Sequence, residues 1–427
     1  MTAHEHPADV PAILPGTDFM GPFNGRGLLE APHLVRRPDG QVLQLSPLLG
    51  LIAEELAEST DLSAVADAVR ARSGRPVTVA DVRYLIEQRL RPMGLLADDG
   101  GGHSGPPPRP HAFLALRFRR ALLGPGPVVA AGNLLAPLFA PALVVCALAA
   151  LLALDVWLLA VRGVGDALHA AIAQPAQLLA IAGLSVIAGA VHELGHAAAC
   201  RRGGARPGAI GVGIYLIWPA FYTDVTDSYR LDRAGRLRVD LGGLYLDALF
   251  VLALAGLYAA TGWSLVLVAV LLVQLEMLDQ FMPWLRLDGY YVVSDVAGVP
   301  DLFSRLGPVL RSLLPGRSEP RAAELAPRAR AIVTAWVMTA VPALLALLTV
   351  VALNAPEYLA AFWASTREHA AAMRDAPGAL EGLAAAVELA ILSVPLVGGA
   401  LGAGVLARRL LAAGGRRRAS APATPAG

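Results

Sequence analysis

LLAIAGLSVIAGAVHELGHAAAC, residues 178–200, is an apolar run long enough to cross a bilayer, and it carries the motif HELGH at 192–196. In a helix, side chains four residues apart lie on one face, so the imidazoles of His192 and His196 can reach the same metal ion. Glu193 is then placed to accept a proton from a metal-bound water. Because lipid disfavours ionisable side chains, this cluster predicts a functional site. On the motif alone, a second interpretation stays open, in which both histidines only pack against neighbouring helices.

The composition of the chain is typical of a membrane protein. Of its 427 residues, 56% are hydrophobic and only 16% are charged, and the mean hydropathy is +0.55. Soluble proteins carry about 25% charged residues, so this deficit indicates lipid rather than one large water-soluble core. The net charge is +1, and the arginines lie in clusters rather than on a broad basic face. We therefore expect no nucleic acid partner.

Six apolar segments reach the length of about 20 residues that a membrane-spanning helix needs. They lie at 139–161, 175–200, 240–261, 264–285, 331–353 and 383–406. Arginines are frequent between the second and third spans, between the fourth and fifth, and after the sixth, but rare in the other connections. Because basic loops stay in the cytoplasm, this asymmetry predicts an all-α, multi-pass membrane protein with both termini cytoplasmic.

The N-terminal part of the chain predicts a small soluble domain. Residues 1–25 are rich in proline and glycine and are expected to be disordered. Within 26–98, a hairpin is predicted to turn at the sequence PDG of 38–40. Three short helices follow, with capping residues at Ser46, Asp61 and Thr78. This layout predicts a winged-helix-like α+β domain.

Two functions are open for this N-terminal domain. A winged helix can bind DNA, but its third helix mixes arginines with Asp81 and Glu87, which is unfavourable for binding phosphate. A peptide that adds as an extra strand beside the hairpin suits the fold better. We therefore expect residues 26–98 to recruit a peptide or membrane-protein substrate.

The rest of the chain divides into a linker with an interfacial segment at 99–126, a membrane domain at 127–410, and a basic, disordered tail at 411–427. Within the membrane domain, 208–222 is apolar but short, and it contains glycine and β-branched residues. It predicts a re-entrant strand or hairpin that pairs with an extended substrate, since backbone at that depth must be hydrogen-bonded. An ordinary interfacial loop is the alternative.

A catalytic zinc site needs a third protein ligand besides the two histidines, and it leaves one position open for water. The sequence LDG at 287–289 directly follows the fourth predicted span, which makes Asp288 the candidate ligand. An aspartate at this depth is costly unless it is paired or binds a metal. The alternative is an interfacial loop aspartate in contact with water.

Beyond these residues, the chain resembles a known family. HELGH in one span with LDG after a later one resembles the site-2 protease class of intramembrane zinc metalloproteases. The stretches RLDGYYVVSDVAGVP (286–300) and YTDVTDSYRL (222–231) are similar to the bacterial subgroup of peptide zinc metalloproteases. Residues 28–96 resemble the peptide chaperone of pyrroloquinoline quinone synthesis, from LVRRPDGQ to RLRPMGLL. The resemblance covers most of residues 28–310 and implies a bacterial cell membrane as the location.

Carried over to this sequence, the resemblance implies a complete metal site. His192, His196 and Asp288 would be the zinc ligands, and Glu193 would be the catalytic base. Zn²⁺ is therefore the expected cofactor.

One position departs from the family pattern. The family usually has asparagine before the proline upstream of LDG, where this chain has Met282. Either another polar group replaces that asparagine or turnover is weakened. Gln274 and Gln280 are nearby candidates, but Glu276 and Asp279 on the same segment favour a hydrated cavity instead.

The expected activity is that of a zinc metalloendopeptidase that hydrolyses a bond in a peptide or small membrane protein. Maturation of a ribosomally synthesised, modified peptide is the favoured pathway, and proteolysis of an anti-sigma-type membrane regulator is a second one. From another class, a catalytically silent component for peptide binding or export would use the same fold. An ion-coupled transporter is disfavoured because the chain has no visible internal repeat.

Several further residues have two interpretations or none. Asp224 and Asp227 predict either contacts to the site or solvated loop acids. Asp247 and Glu388 are acids within predicted spans, and without an identified partner they receive no role. The glycine pair at 242–243 predicts close helix packing.

Overall fold

A computed structural model gives the architecture of the chain. It describes residues 11–374 apart from 60, 98–115, 163–174, 216–217 and 318, together with a few residues between 378 and 393. The described part consists of an N-terminal α+β domain, long apolar helices and a second small sheet.

The N-terminal domain contains a three-stranded antiparallel sheet of order β1–β2–β3, and three helices. The elements are β1 (Asp18–Pro22), β2 (His33–Arg36), β3 (Val42–Leu45), α1 (Pro47–Glu58), α2 (Leu62–Ser73) and α3 (Val79–Leu85). The predicted hairpin is formed by β2 and β3. The predicted helix starts are confirmed, because Ser46, Asp61 and Thr78 each accept a backbone N–H of the first turn. Ile52 and Val65 are completely buried in the core of this domain.

Strand β1 corrects one prediction. Residues 1–25 are predicted to be disordered, but Asp18–Pro22 pairs with β2, and Asp18 lies opposite Arg36. Phe19 packs against the core of the domain, and this burial, which the proline and glycine content does not reveal, orders the segment. Residues 1–10 lie outside the described part.

A second three-stranded antiparallel sheet has the order β4–β5–β6. Its strands are β4 (Arg117–Leu123), β5 (Ile210–Tyr215) and β6 (Trp218–Thr223). Paired antiparallel strands, rather than an ordinary loop, therefore occupy 210–215 and 218–223. The interfacial segment predicted within 99–126 is a strand whose backbone pairs with β5. Gly211 lies so close to the backbone of Arg120 that a side chain there would clash, which explains the glycine in β5.

Ten α-helices follow the N-terminal domain in the described part of the chain. They are α4 (Pro125–Leu135), α5 (Pro141–Trp157), α6 (Pro175–Arg202), α7 (Arg233–Asp240), α8 (Gly242–Thr261), α9 (Ser264–Gln280), α10 (Asp288–Ala297), α11 (Phe303–Ser312), α12 (Pro320–Ala323) and α13 (Pro327–Arg374). Four helical stretches among the described residues are long and apolar enough to cross a membrane. These are Pro141–Arg162, Ala180–Arg202, Gly242–Thr261 and Pro327–Glu357. They coincide with the first, second, third and fifth predicted spans.

Two of the six predicted spans are not confirmed. The segment 264–285 is helical only over the 17 residues of Ser264–Gln280. Pro283 lies just beyond and disfavours helix for itself and for the residue before it, so the chain turns before Asp288. The span predicted at 383–406 lies mostly outside the described residues, and the tail at 411–427 lies wholly outside them.

Helix α6, which carries HELGH, packs against α8 through glycines. A side chain at Gly195 would collide with the backbone of Gly242, and a side chain at Gly243 would collide with the ring of His192. The close packing predicted for the glycine pair at 242–243 is therefore confirmed, and it places α8 directly beside the histidines.

Candidate metal centre

His192, His196 and Asp288 come together at one point of the structure. The two Nε2 atoms lie 3.1 Å apart. One oxygen of Asp288 is 3.3 Å from Nε2 of His192, and the other is 3.4 Å from Nε2 of His196. Among the described residues, these three side chains form a group that could hold a metal ion, with ligand atoms all within 4.8 Å of one another. The three residues predicted as ligands are thus adjacent in space.

The turn between α9 and α10 brings Asp288 to the histidines. The indole of Trp336 donates to the carbonyl of Pro283 at 2.7 Å, and the backbone N–H of Arg286 donates to the hydroxyl of Tyr215 at 2.7 Å. Asp288 is the first residue of α10. Gly289 then packs against the backbone of Phe281, where a side chain would clash. The glycine of LDG therefore permits the turn that delivers the aspartate.

Both imidazoles are oriented by a hydrogen bond at Nδ1. His196 Nδ1 donates to the backbone carbonyl of Val239 at 2.7 Å, and His192 Nδ1 lies 2.7 Å from a carboxylate oxygen of Asp247. Because a carbonyl oxygen only accepts, His196 carries its proton on Nδ1, and its Nε2 lone pair faces the shared point. Ligating histidines are commonly fixed in this way by carbonyl and carboxylate groups.

The arrangement fits a cation. All three side chains are buried, and the Oδ2 atom of Asp288 has no hydrogen-bond partner among the residues that the structure describes. Burial by itself would raise the pKa of Asp288, but the His196 and His192 imidazoles hold it below the usual range of an aspartate. Two imidazole nitrogens and an ionised carboxylate are a ligand set that zinc accepts, with a fourth position left for water.

Asp247 is a site residue that the sequence analysis missed. It is buried on α8 and contacts His192 across 55 residues of sequence. The sequence does contain a signal for it, since an acidic side chain within an apolar span needs a partner and predicts a function. The pairing could not be predicted because it depends on how α8 packs on α6.

Glu193 is held by strand β6. Its carboxylate is buried, and the hydroxyl of Thr223 donates to Oε2 at 2.6 Å. The same hydroxyl lies 3.0 Å from the backbone carbonyl of Glu193. The side chain of the predicted base thus sits at the end of the second sheet.

Other predicted candidates have hydrogen-bond partners outside the histidine group. Asp224 accepts hydrogen bonds from Arg36 and Thr226, and Asp227 accepts from the backbone of Arg206. Both acids are therefore paired with other groups of the protein, and both are half-buried. Glu388 lies outside the described residues.

The polar residues of α9 that were weighed in place of an asparagine have different surroundings. Gln274 donates to Asp155 of α5 at 2.5 Å, so its amide is engaged elsewhere. Glu276 and Asp279 are exposed along α9, while Met282 and Gln280 are half-buried in the turn and at the helix end. The hydrated cavity stays a prediction.

An acidic pair, in which Asp240 is half-buried and Asp295 is buried, lies next to the carbonyl that orients His196. Asp240 follows Val239 in the chain, and Asp295 of α10 accepts a hydrogen bond from the buried Arg236 at 2.7 Å. Burial, together with the Asp295 carboxyl, raises the pKa of Asp240. The pair therefore holds a proton close to the metal-binding residues.

Comparison with known proteins adds no relative. No protein-family model matches the chain, and no curated protein and no solved structure is significantly similar to it.

Proposed function

We propose that this protein is a membrane-embedded zinc metalloendopeptidase. The observation that carries the proposal is the convergence of His192, His196 and Asp288 within 3.4 Å of one another, with Glu193 beside the first histidine. When bound, Zn²⁺ would act as a Lewis acid and would lower the pKa of a bound water towards about 7. Glu193 would accept a proton at its carboxylate and return it to the leaving amine.

The surrounding residues supply the conditions for this chemistry. Asp247 and the carbonyl of Val239 orient the imidazoles, and Thr223 fixes one oxygen of the base. Burial of His192, His196, Glu193 and Asp247 limits competing water and strengthens their electrostatic interactions.

The second sheet supports a peptide substrate. Among the described strands, β6 pairs only with β5, so its other edge offers backbone groups to an extended chain. Because Thr223 at the end of β6 contacts Glu193, a peptide added along this edge would run towards the base. Residues 26–98 would recruit the substrate before it reaches that edge.

The substrate class is a peptide or small membrane protein, and the favoured pathway is maturation of a ribosomally synthesised peptide. Proteolysis of an anti-sigma-type regulator would use the same machinery. A catalytically silent peptide-binding or export component is the candidate from another class, and Met282 in place of the family's asparagine is the feature that favours it.

The location that we propose is the bacterial cell membrane, with both termini in the cytoplasm. The N-terminal domain contacts 224–230 through Arg36 and Asp18 and contacts 324–326 through Gly27 and Leu29. Both loops belong to the arginine-rich set predicted to be cytoplasmic, so the contacts support one common side.

The test is metal analysis and proteolysis on the detergent-purified chain. We expect about one zinc per chain, lost in His192→Ala, and slow cleavage of fluorescein-labelled casein as an unfolded general substrate. Glu193→Ala should keep the zinc and lose cleavage. Full zinc retention after substitution of both histidines would refute the site, while zinc binding with no cleavage of any peptide would favour the silent component.

A further inference from the structure

In the described part of the chain, two ion pairs of opposite polarity join the N-terminal domain to the membrane domain. Asp18 of β1 and Arg36 of β2 lie directly opposite each other in the N-terminal sheet. Arg36 donates to Oδ2 of Asp224 at 2.7 Å. Arg230 donates to both carboxylate oxygens of Asp18, each at 2.7 Å. One end of the N-terminal sheet is therefore fastened to the segment 224–230.

Asp224, which pairs with Arg36, is held by several hydrogen bonds. The backbone of Asp224 continues the β5–β6 ladder, because its N–H donates to the carbonyl of Ala209 and its carbonyl accepts from Gly208. Its Oδ1 atom accepts from both the N–H and the hydroxyl of Thr226. The ion pair with Arg36 therefore acts on a side chain whose backbone is hydrogen-bonded at the end of β6.

The end of β6 holds the base. Thr223 immediately precedes Asp224, and its hydroxyl donates to the Glu193 carboxylate at 2.6 Å. The path from the N-terminal domain to Glu193 therefore contains one ion pair, one peptide unit and one hydrogen bond. The ion pair is partly exposed, with side-chain exposures of 30% for Arg36 and 23% for Asp224.

We propose that Thr223 is a positioning residue for Glu193, and that Arg36 sets the place of Thr223 through Asp224, so that docking of the N-terminal domain orients the base. The proposal rests on the proposed function, because it assigns Glu193 the role of base. It makes the domain that recruits the peptide also a support of the proton-accepting carboxylate. Loss of the ion pair would leave the zinc ligands in place but loosen Glu193.

The experiment measures binding of acetohydroxamic acid to the zinc-loaded, full-length protein in detergent. A hydroxamate binds a zinc site best when a neighbouring carboxylate can take its hydroxyl proton, so its affinity reports on Glu193 without any substrate. Zinc per chain is measured on every variant. Hydrogen exchange of 218–230 checks that each variant remains folded.

Thr223→Val should weaken acetohydroxamate binding about tenfold, because a hydrogen bond to a charged group is lost, and Thr223→Ser should restore it. Arg36→Gln should weaken binding about two- to fivefold, as expected for a partly exposed ion pair. Arg72→Gln is the matched control, since Arg72 pairs with Glu54 and Glu55 inside the N-terminal domain. All variants should keep the same zinc content.

The double variant Arg36→Gln with Thr223→Val decides whether the two residues act along one path. It should bind no more weakly than Thr223→Val alone. Multiplied losses, or no loss in Arg36→Gln, would overturn the link to the N-terminal domain. A wild-type chain without zinc, or a Glu193→Gln variant that binds acetohydroxamate normally, would instead refute the proposed function itself.

Discussion

A carboxylate oxygen of Asp247 lies 2.7 Å from Nδ1 of His192, although 55 residues of sequence separate them. Both side chains are buried between apolar helices, where an unpaired acid would be costly. The contact fixes the imidazole so that Nε2 faces His196 and Asp288. Asp247, to which the sequence alone assigns no role, therefore helps to orient a ligand of the candidate metal centre.

Removing this support should weaken metal binding. In Asp247→Asn the acceptor for Nδ1 loses its charge, and zinc affinity should fall about 10- to 100-fold, as is typical for a partner of a ligating histidine. The measurement is competition with a zinc chelator on the purified protein. Asp279→Asn, an exposed acid on α9, is the control and should leave the affinity unchanged. Equal zinc affinities in the two variants would mean that Asp247 does not contribute to zinc binding.

Close packing of α8 on the motif should be required for zinc binding. A side chain at Gly243 would collide with the ring of His192, so Gly243→Ala should lose zinc and destabilise the fold by about 1–3 kcal/mol. Gly256→Ala on the same helix meets no atom within 4 Å and should retain both zinc binding and the stability of the fold. Zinc per chain and the apparent Tm measure these effects. A Gly243→Ala chain with full zinc would contradict the observed packing.

Zinc should stabilise the folded chain through these ligands. A ligand at a hundredfold excess over its Kd adds about 2.7 kcal/mol to the free energy of unfolding when it binds only the folded state. The apparent Tm should therefore rise with added zinc and fall with EDTA. In Asp288→Ala the Tm should no longer respond to either, and a full response there would place the metal elsewhere.

The acidic pair beside the site should make stability depend on pH. Burial and the Asp295 carboxyl raise the pKa of Asp240 from 3.8 to about 9. The folded chain therefore holds a proton that the unfolded chain releases above about pH 4, so this contribution to stability is complete at lower pH and is lost as the pH rises towards 9.

Asp240→Asn removes this titration while it keeps a neutral side chain of the same shape. With EDTA present, the apparent Tm of the variant should fall less than that of wild type between pH 6 and pH 9. Asp279→Asn again serves as the control, with the wild-type slope expected. Identical slopes for all three proteins would mean that Asp240 is ionised throughout this range.

Local features of the fold were predictable from the sequence. The caps at Ser46, Asp61 and Thr78 form as expected, because each depends on atoms within one helical turn. Four apolar segments form helices long enough to cross a membrane, since length and composition suffice for that prediction. The fourth predicted span is shorter than expected because the pattern of apolar residues does not register the turn at Pro283.

Long-range contacts were predictable only where a motif carried them. Asp288 was predicted from LDG and lies beside the histidines. The pairing of β4 with β5 and the pairing of β1 with β2 each join strands that lie apart in the sequence. Their register follows from which faces become buried.

The sequence alone determined that two imidazoles share one helical face inside an apolar run, because a helical period of 3.6 residues is a local property. Only the tertiary structure decided that Asp247 orients one of these rings and that Thr223 holds Glu193. Those contacts exist because glycines let α8 approach α6 and because β6 ends against the motif. Such proximity is a consequence of packing, which no stretch of neighbouring residues encodes by itself.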